Sequence, residues 1–375
     1  MFLPHVTFKL VGSALLAAAL VLGADALAQQ LAPLVRPNSG TWDSGAGFQF
    51  DLSKKKSEKT RQSVSGMACN VDAQKRRICL IAFDEGSEAR YAYLDDKSFI
   101  PDAEPVLLRN TDEELDAEGA VTDGQYFYVT GSHSAKRGDC ASNPGSRHVL
   151  RFKLDPATGR ALRSPTSGAG VNFADTGKLW PIMQAQPGLA PHVGERKCLG
   201  SEPPEKAPAL AGQQGVNIEG LAVQAGRLYF GFRGPASGGV AQVLAVDADA
   251  LFSADAARDP KATLTRLALG PNRGIRDMIA VKTGFLLLAG PDDSPANKNA
   301  GWVVAWWDGK STLNQIVQPK VLAALDLSSV KLRSCDKELK PEGMTVLEET
   351  SAAYRLLVLS DGLCDGGPLV FSVAR

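Results

Sequence analysis

A five-bladed β-propeller, an all-β fold, is predicted for this chain by three observations. A short sequence pattern recurs five times, strand-like runs accompany each copy, and the composition is loop-rich and globular, with 37 Gly and 22 Pro among 375 residues. The 41 basic residues balance the 41 acidic ones, so no net electrostatic field draws the protein to nucleic acid or to anionic lipid. We therefore expect no nucleic-acid partner.

The recurring pattern begins an apolar run with a polar residue, followed in most copies by glycine. The five copies are Ser65-Gly-Met-Ala-Cys69, Glu118-Gly-Ala-Val-Thr122, Glu219-Gly-Leu-Ala-Val223, Asp277-Met-Ile-Ala-Val281 and Glu342-Gly-Met-Thr-Val346. A second run follows each copy after a turn, and most units add a third, more amphipathic run, which is typical of small antiparallel sheets. Such a sheet buries both faces when copies pack around an axis, as propeller blades do.

The spacing of the copies leaves the number of blades open between five and six. Successive copies start 53, 101, 58 and 65 residues apart. The longest interval contains residues 164–216, which are rich in Pro and Gly and poor in alternating patterns, so we predict an inserted loop that packs over one face. A hidden sixth blade is the alternative. Residues 41–52 are expected to close the ring by adding an outer strand to the C-terminal blade.

The first 28 residues indicate a secretory signal peptide. Lys9 is followed by an apolar run over residues 10–23 and by Ala26-Leu27-Ala28, a small-residue cleavage pattern. The alternative is a membrane anchor, but the run is shorter than the roughly 20 residues that cross a bilayer. We predict a mature chain of residues 29–375 that forms one domain, has no membrane span, and is periplasmic or secreted.

The cysteines are predicted to form disulfides, because an even number of them in an exported chain favours disulfides over metal thiolates. Cys69 and Cys79 flank a turn between two apolar runs, and Cys335 and Cys364 bracket the last hairpin. This leaves Cys140 with Cys198. Since six cysteines allow fifteen pairings, this connectivity is one hypothesis among several.

A polar cluster is predicted at one mouth of the propeller axis. The first strand of each blade lines the axis, and its start lies beside the end of the second strand. Acidic strand starts are expected to bind a metal ion, which we predict to be Ca²⁺ because calcium prefers several oxygen ligands; they are Glu118, Glu219, Asp277 and Glu342. In the alternative interpretation, each carboxylate accepts backbone N–H groups of the next blade and has only a structural role.

The remaining polar residues at this mouth are assigned to catalysis or to ligand binding. His133 is the candidate acid or base, and Arg233 is expected to orient an anionic substrate. Five further residues are predicted to line the ligand site: Ser65, Asp84, Arg276, Asp292 and Asp361. No P-loop, dinucleotide-binding motif or G-x-S-x-G element occurs, so we expect neither a nucleotide cofactor nor a classical serine hydrolase.

Several of these segments resemble the bacterial DUF3616 family. The resemblance rests on Asn217-Ile-Glu-Gly-Leu-Ala-Val223, Leu228-Tyr-Phe-Gly-Phe-Arg-Gly-Pro235, Gly131-Ser-His-Ser134, Pro341-Glu-Gly343 and Leu359-Ser-Asp-Gly362, and it covers roughly residues 60–375. It implies a propeller-like β fold and no established activity. A looser similarity to the esterase-like phytase propellers rests on blades that begin with P-E-G or D-x-E-G.

Two functions remain after this reasoning. The first is an exported propeller whose acidic central pocket binds a small ligand, an ion or a partner protein. The alternative is a metal-assisted hydrolase of phosphate or carboxylic esters, in which the bound cation polarises the substrate and activates water. The expected partner is a small anionic molecule or ester, or a periplasmic protein.

Overall fold

A computed structural model describes residues 32–50, 57–109, 113–166, 170–171, 173–200, 214–294, 297–311 and 315–375. The predicted signal peptide lies outside these residues, as do residues 167–169, 172 and 201–213 of the predicted 164–216 insertion. In the described ranges no helix has the length and hydrophobicity of a membrane span.

Strands account for most of the regular secondary structure of the described residues. In chain order they are β1 (Leu34–Val35), β2 (Val64–Val71), β3 (Arg77–Phe83), β4 (Glu88–Asp95), β5 (Ser98–Leu107), β6 (Ala117–Thr122), β7 (Tyr126–Gly131), β8 (Val149–Asp155), β9 (Arg160–Ala161), β10 (Ala174–Thr176), β11 (Asn217–Gln224), β12 (Arg227–Gly234), β13 (Val240–Asp247), β14 (Thr263–Ala268), β15 (Arg273–Val281), β16 (Gly284–Pro291), β17 (Val303–Trp307), β18 (Ile316–Val317), β19 (Lys320–Leu325), β20 (Lys340–Glu349), β21 (Ala353–Asp361) and β22 (Leu369–Ala374). The described helices are short: α1 (Ser57–Arg61), α2 (Leu179–Gln184), α3 (Ala248–Leu251) and the 3₁₀ turns Pro144–Ser146, Ala190–His192 and Cys364–Gly366.

The strands form five sheets that follow one another along the chain. The sheets are β2–β5; β6, β7, β8 and β10, with β9 on β8; β11–β14 with β18; β15–β17 with β19 and β1; and β20–β22. Their first strands contact one another in a closed cycle, β2 to β6, β6 to β11, β11 to β15, β15 to β20, and β20 back to β2. This cycle confirms the predicted five-bladed propeller.

The hydrophobic core is divided among the gaps between neighbouring blades. Each gap holds one cluster of buried apolar side chains, including Leu80 and Phe127 between the first two blades and Leu357 and Met67 between the last and the first. Trp307 is buried between the third and fourth blades, and Trp302 and Trp306 pack against the cluster between the fourth and fifth. The ring is therefore held together by burial of sheet faces, which sequence alternation predicts.

The described part of the 164–216 stretch contains β10, α2 and the turn Ala190–His192, and it adds no sixth sheet. Its apolar residues Leu179, Met183, Leu189 and Val193 join the core between the second and third blades. The insertion thus fills a gap between blades.

The N-terminal segment contacts three blades, since Asp43 forms a bridge with Ser98 of the first blade in addition to the segment's contacts with the fourth and the last. β1 pairs in parallel with β19 of the fourth blade. Farther along, the backbone N–H groups of Asn38 and Trp42 donate to the carbonyl oxygens of Val370 and Pro368 in the last blade. In residues 41–50, which the structure describes, the predicted outer strand on the C-terminal blade does not form, and Asn38 and Trp42 reach that blade through single backbone hydrogen bonds.

All three predicted disulfides are present. They join Cys69 to Cys79, Cys140 to Cys198, and Cys335 to Cys364. The first links directly paired residues of β2 and β3, and the second ties the loop after β7 to the insertion.

Candidate functional site

Every innermost strand carries a bulge at the same point of its ladder. Pairing with the second strand skips one residue in each blade, and these five residues are Ser65, Glu118, Glu219, Arg276 and Glu342. A bulged residue leaves the in-and-out alternation of its strand. The repeated bulge therefore directs one polar side chain of each blade toward the axis, and we call these five residues the axial ring.

The side chains of the axial ring contact one another. Ser65 Oγ donates to Glu118 Oε2 at 2.5 Å and lies 3.3 Å from Glu342 Oε2. Arg276 Nε lies 2.8 Å from Glu219 Oε2, and a second nitrogen of the same guanidinium contacts Glu342. Residues that lie up to 277 positions apart in sequence thus form one buried polar network.

The fourth blade differs from the predicted alignment by one residue. The pattern placed Asp277 beside the glutamates, whereas the strand register places Arg276 there and Asp277 at the position that glycine holds in the other blades. Asp277 accepts the backbone N–H groups of Met278 at 2.7 Å and Met344 at 2.6 Å. This carboxylate joins the fourth blade to the fifth. For Asp277 the structure thus agrees with the alternative interpretation, in which the carboxylate accepts backbone N–H groups and has a structural role.

The four predicted calcium ligands do not fit a shared calcium centre. Glu219 and Glu342 are paired with Arg276, and Asp277 is occupied by two amides. Among the described residues, one group of three potential metal ligands has its donor atoms within 4.8 Å of one another, namely Cys335, Asp336 and Cys364. Two of these three are joined in a disulfide.

Arg233 belongs to the same buried network. Its guanidinium lies 2.8 Å from Glu219 Oε1 and 3.2 Å from Asp293 Oδ1. Burial opposes the charge of Arg233, but Asp293 and Glu219 raise its pKa. Burial, with a contribution from Arg233, lowers the pKa of Arg276 to about 10. Burial would raise the pKa of Glu219, yet Arg233 and Arg276 hold it below its usual value. These charges compensate one another without a ligand.

A cavity of about 550 Å³ lies on the ring side where the innermost strands begin. Both signs of charge line it. The acidic residues are Asp84, Glu85, Glu114, Asp116, Glu118, Glu338 and Asp361, and the basic ones are Lys59, Lys136, Arg137, Lys337 and Lys340. Of the predicted site residues, Asp84, Glu118 and Asp361 reach this cavity. We call it the axial cavity.

The deep acids of the axial cavity have no cationic partner among the residues that the structure describes. Asp84, Asp116 and Glu118 form no ion pair with any described residue, although Asp116 accepts a hydrogen bond from Ser132. Burial raises the pKa of Asp84 to about 8, and the neighbouring Asp361, Asp116 and Glu85 add to this. Burial also raises the pKa of Asp116, and burial together with Glu219 raises that of Glu118 well above its usual value. With a pKa of about 8, Asp84 therefore holds a proton at neutral pH that a cation could replace.

His133 lies outside the axial cavity. It is fully buried, its Nδ1 lies 3.0 Å from the carbonyl oxygen of Gly131, and its backbone adopts a left-handed φ of 55°. Burial lowers its pKa to about 4. Asp292, also predicted for this mouth, instead accepts from Ser294 N at 2.9 Å and from Asn297 Nδ2 at 2.8 Å. The structure thus does not bring these two residues to the cavity with Asp84.

Sequence reasoning missed Asp116 and the basic side chains of the cavity. Asp116 stands two residues before Glu118, in a D-x-E-G sequence, and this spacing was the available signal. Lys136, Arg137 and Lys337 lie in loops without any recurring pattern, so their place at the cavity follows from the fold alone.

Comparison with protein families gives one match. A model described as "Protein of unknown function (DUF3616)" matches residues 66–152 and 206–365. The chain belongs to the DUF3616 family. No curated protein matches this DUF3616 chain in sequence.

Solved structures resemble this DUF3616 chain only distantly. A putative glycoside hydrolase from Bacteroides ovatus is 12% identical, with a TM-score of 0.42, over 92% of this chain and 96% of its own. The calcium-binding protein regucalcin from Agrobacterium tumefaciens is 10% identical, with a TM-score of 0.36, over 92% and 96%. A GH43 endo-arabinanase from Bacillus licheniformis is 10% identical, with a TM-score of 0.36, over 88% and 96%. Likeness at this level carries no argument about function.

Proposed function

We propose that this protein binds a small molecule with a cationic group in the axial cavity. The observation that carries the proposal is the set of deep acids, Asp84, Asp116 and Glu118, which lack ion-pair partners among the described residues. An ionised carboxylate in a poorly hydrated site is unfavourable unless a positive charge or several hydrogen bonds compensate it. A ligand ammonium group would supply that compensation.

The size of the cavity supports an organic ligand. About 550 Å³ lies within the range of roughly 300–1,000 Å³ that is usual for small-molecule sites. A calcium ion is a weaker candidate, since it requires six to eight oxygen atoms about 2.3–2.6 Å away. Asp84, Asp116 and Glu118 do not form a group with donor atoms within 4.8 Å of one another. Calcium binding would need these side chains to move together.

Titration calorimetry with ethanolamine tests this proposal, and calcium chloride serves as the competing probe. We expect ethanolamine to bind with release of a proton and to bind more tightly as the pH rises from 6 to 8.5, because protons compete for Asp84. Asp84→Asn should weaken binding about tenfold, as expected when one partner of a charge pair is lost. The control is Asp249→Asn, since the side chain of Asp249 is 73% exposed and lies outside the cavity.

Two results would contradict cation binding. One is the absence of heat with ethanolamine at millimolar concentration, and the other is equal affinity in the wild type and in Asp84→Asn. Tighter binding of calcium than of ethanolamine would assign the same carboxylates to a metal ion instead.

Ester hydrolysis is the second candidate function, and the state of Asp84 favours it. A carboxylic acid with a pKa of about 8 keeps its proton at neutral pH and can donate it to a leaving group. In this hydrolase proposal Asp84, and not the His133 predicted from sequence, is the general acid. The test measures release of p-nitrophenol from p-nitrophenyl phosphate or acetate. Loss of this activity in Asp84→Asn, with activity kept in Asp249→Asn, would support hydrolysis. Equal rates in the two variants would exclude a role of Asp84 as the acid.

A further inference from the structure

Positive as well as negative groups of the axial cavity form no ion pair within the part of the chain that the structure describes. Lys59 contacts Glu85, and Lys340 lies 2.5 Å from Glu338 and 3.1 Å from Asp361. Three other cations line the same cavity but have no carboxylate within 4.0 Å among the described residues, and these are Lys136, Arg137 and Lys337. We call these three residues the basic rim, because all of them are exposed.

The charge of Arg137 acts on buried acids near the axial cavity without an ion pair among the described residues. Arg137 favours the ionised forms of Asp116, Glu219 and Asp293, whose pKa values burial alone would raise further. This effect extends to Glu219 of the axial ring, with which Arg137 forms no ion pair. The space between the rim and the deep acids is the cavity itself.

We infer that the ligand is a small zwitterion with an ammonium group and an oxyanion. The ammonium group contacts the deep acids Asp84, Asp116 and Glu118, and the oxyanion contacts the basic rim. This inference rests on the proposed cation binding and extends it to the other end of the ligand. A ligand with only a cationic group leaves the basic rim unpaired, and a ligand with only an anionic group is repelled by the deep acids. A molecule that carries both charges can pair with the deep acids and with the basic rim at once.

The two ends are expected to contribute differently. Glu118 is buried and Asp84 and Asp116 are half-buried, so contact with them is strong and sensitive to substitution. The rim side chains are exposed and hydrated, and exposed ion pairs are individually weak. Three such contacts together should tighten binding by about tenfold.

The test compares three probes by calorimetry on the full chain: phosphoethanolamine, ethanolamine and inorganic phosphate. We expect phosphoethanolamine to bind about tenfold more tightly than ethanolamine, and phosphate to bind more weakly than either. The triple variant Lys136→Gln, Arg137→Gln, Lys337→Gln should remove the advantage of phosphoethanolamine over ethanolamine, with both probes measured on the same variant. Its matched control, Lys153→Gln, Lys282→Gln, Lys320→Gln, removes the same charge from exposed positions outside the cavity.

Failure of zwitterion binding can be distinguished from failure of the proposed cation binding. If ethanolamine binds in an Asp84-dependent way but phosphoethanolamine binds no more tightly, or keeps its advantage in the rim variant, the zwitterion inference is wrong and cation binding stands. If phosphate binds as tightly as phosphoethanolamine and Asp84→Asn changes neither, both proposals fail. Thermal unfolding of each variant shows whether it is folded before binding is measured.

Discussion

At the scale of single residues, burial decides which groups are available for chemistry. His133 and Asp84 both stand where a second strand ends, and both are expected at the mouth from sequence. The structure buries His133 against its own backbone, while Asp84 lines the cavity beside other acids. Burial lowers the pKa of the imidazole to about 4 and raises that of the carboxyl group to about 8, because it opposes the charged form of either group.

Asp84 should make stability depend on pH. In the unfolded chain its pKa is about 3.9, whereas burial and the neighbouring Asp361 raise its folded pKa to about 8. The folded state then holds a proton that the unfolded state loses, so stability falls as the pH rises from 4 through 8. Thermal melts of the wild type should decline over this range relative to Asp84→Asn, which does not titrate. Parallel curves for the two proteins would show that the carboxyl group is not perturbed.

At the scale of elements, the bulged inner strand is the repeated structural device. The residue after the bulge lies against the neighbouring blade, and a side chain there has little room. A Cβ atom on Gly119 would lie 2.7 Å from the Cβ of Leu221 in the next blade. Glycine at this point lets the inner strands approach closely enough to bring the axial ring into contact.

Gly119→Ala should therefore destabilise the propeller. Overpacking of a dense core costs about 1–3 kcal/mol, and the change should lower the midpoint of denaturant unfolding. Gly40→Ala is the control, since a Cβ there has no neighbour within 4 Å. Equal unfolding midpoints for the two variants would mean that the blades can separate at no cost.

At the scale of the whole molecule, the axial ring lies across the centre of the propeller and separates two cavities. The axial cavity lies on one side of the axial ring, and a smaller cavity of about 290 Å³, lined by Met67, Ala120, Val223, Met278 and Met344 among others, lies on the other. Ligand access is thus expected from the side of the deep acids. Disulfides at separate places tie loops and hairpins to this frame.

The disulfides should differ in their contribution to stability. Cys140 and Cys198 are 58 residues apart, and Cys69 and Cys79 are 10 apart. In the chain-entropy account, the longer loop contributes about 4 kcal/mol and the shorter about 3 kcal/mol. Replacing Cys140 and Cys198 by serine should lower the free energy of unfolding more than the same change at Cys69 and Cys79. The opposite order would show that local packing outweighs loop entropy here.

The sequence by itself left the number of blades at five or six and the cysteine pairing as one hypothesis among several, but it determined the class of fold, the recurring strand pattern and the interblade apolar surfaces. These features depend on local alternation, turn residues and short spacings, which are visible along one chain. Only the tertiary structure decided that Arg276 and not Asp277 joins the axial ring, that His133 is excluded from the cavity, and that Lys136, Arg137 and Lys337 reach it. A bulge shifts register by one residue, and charge pairing depends on distances between residues far apart in sequence, so neither can be read from the chain one segment at a time.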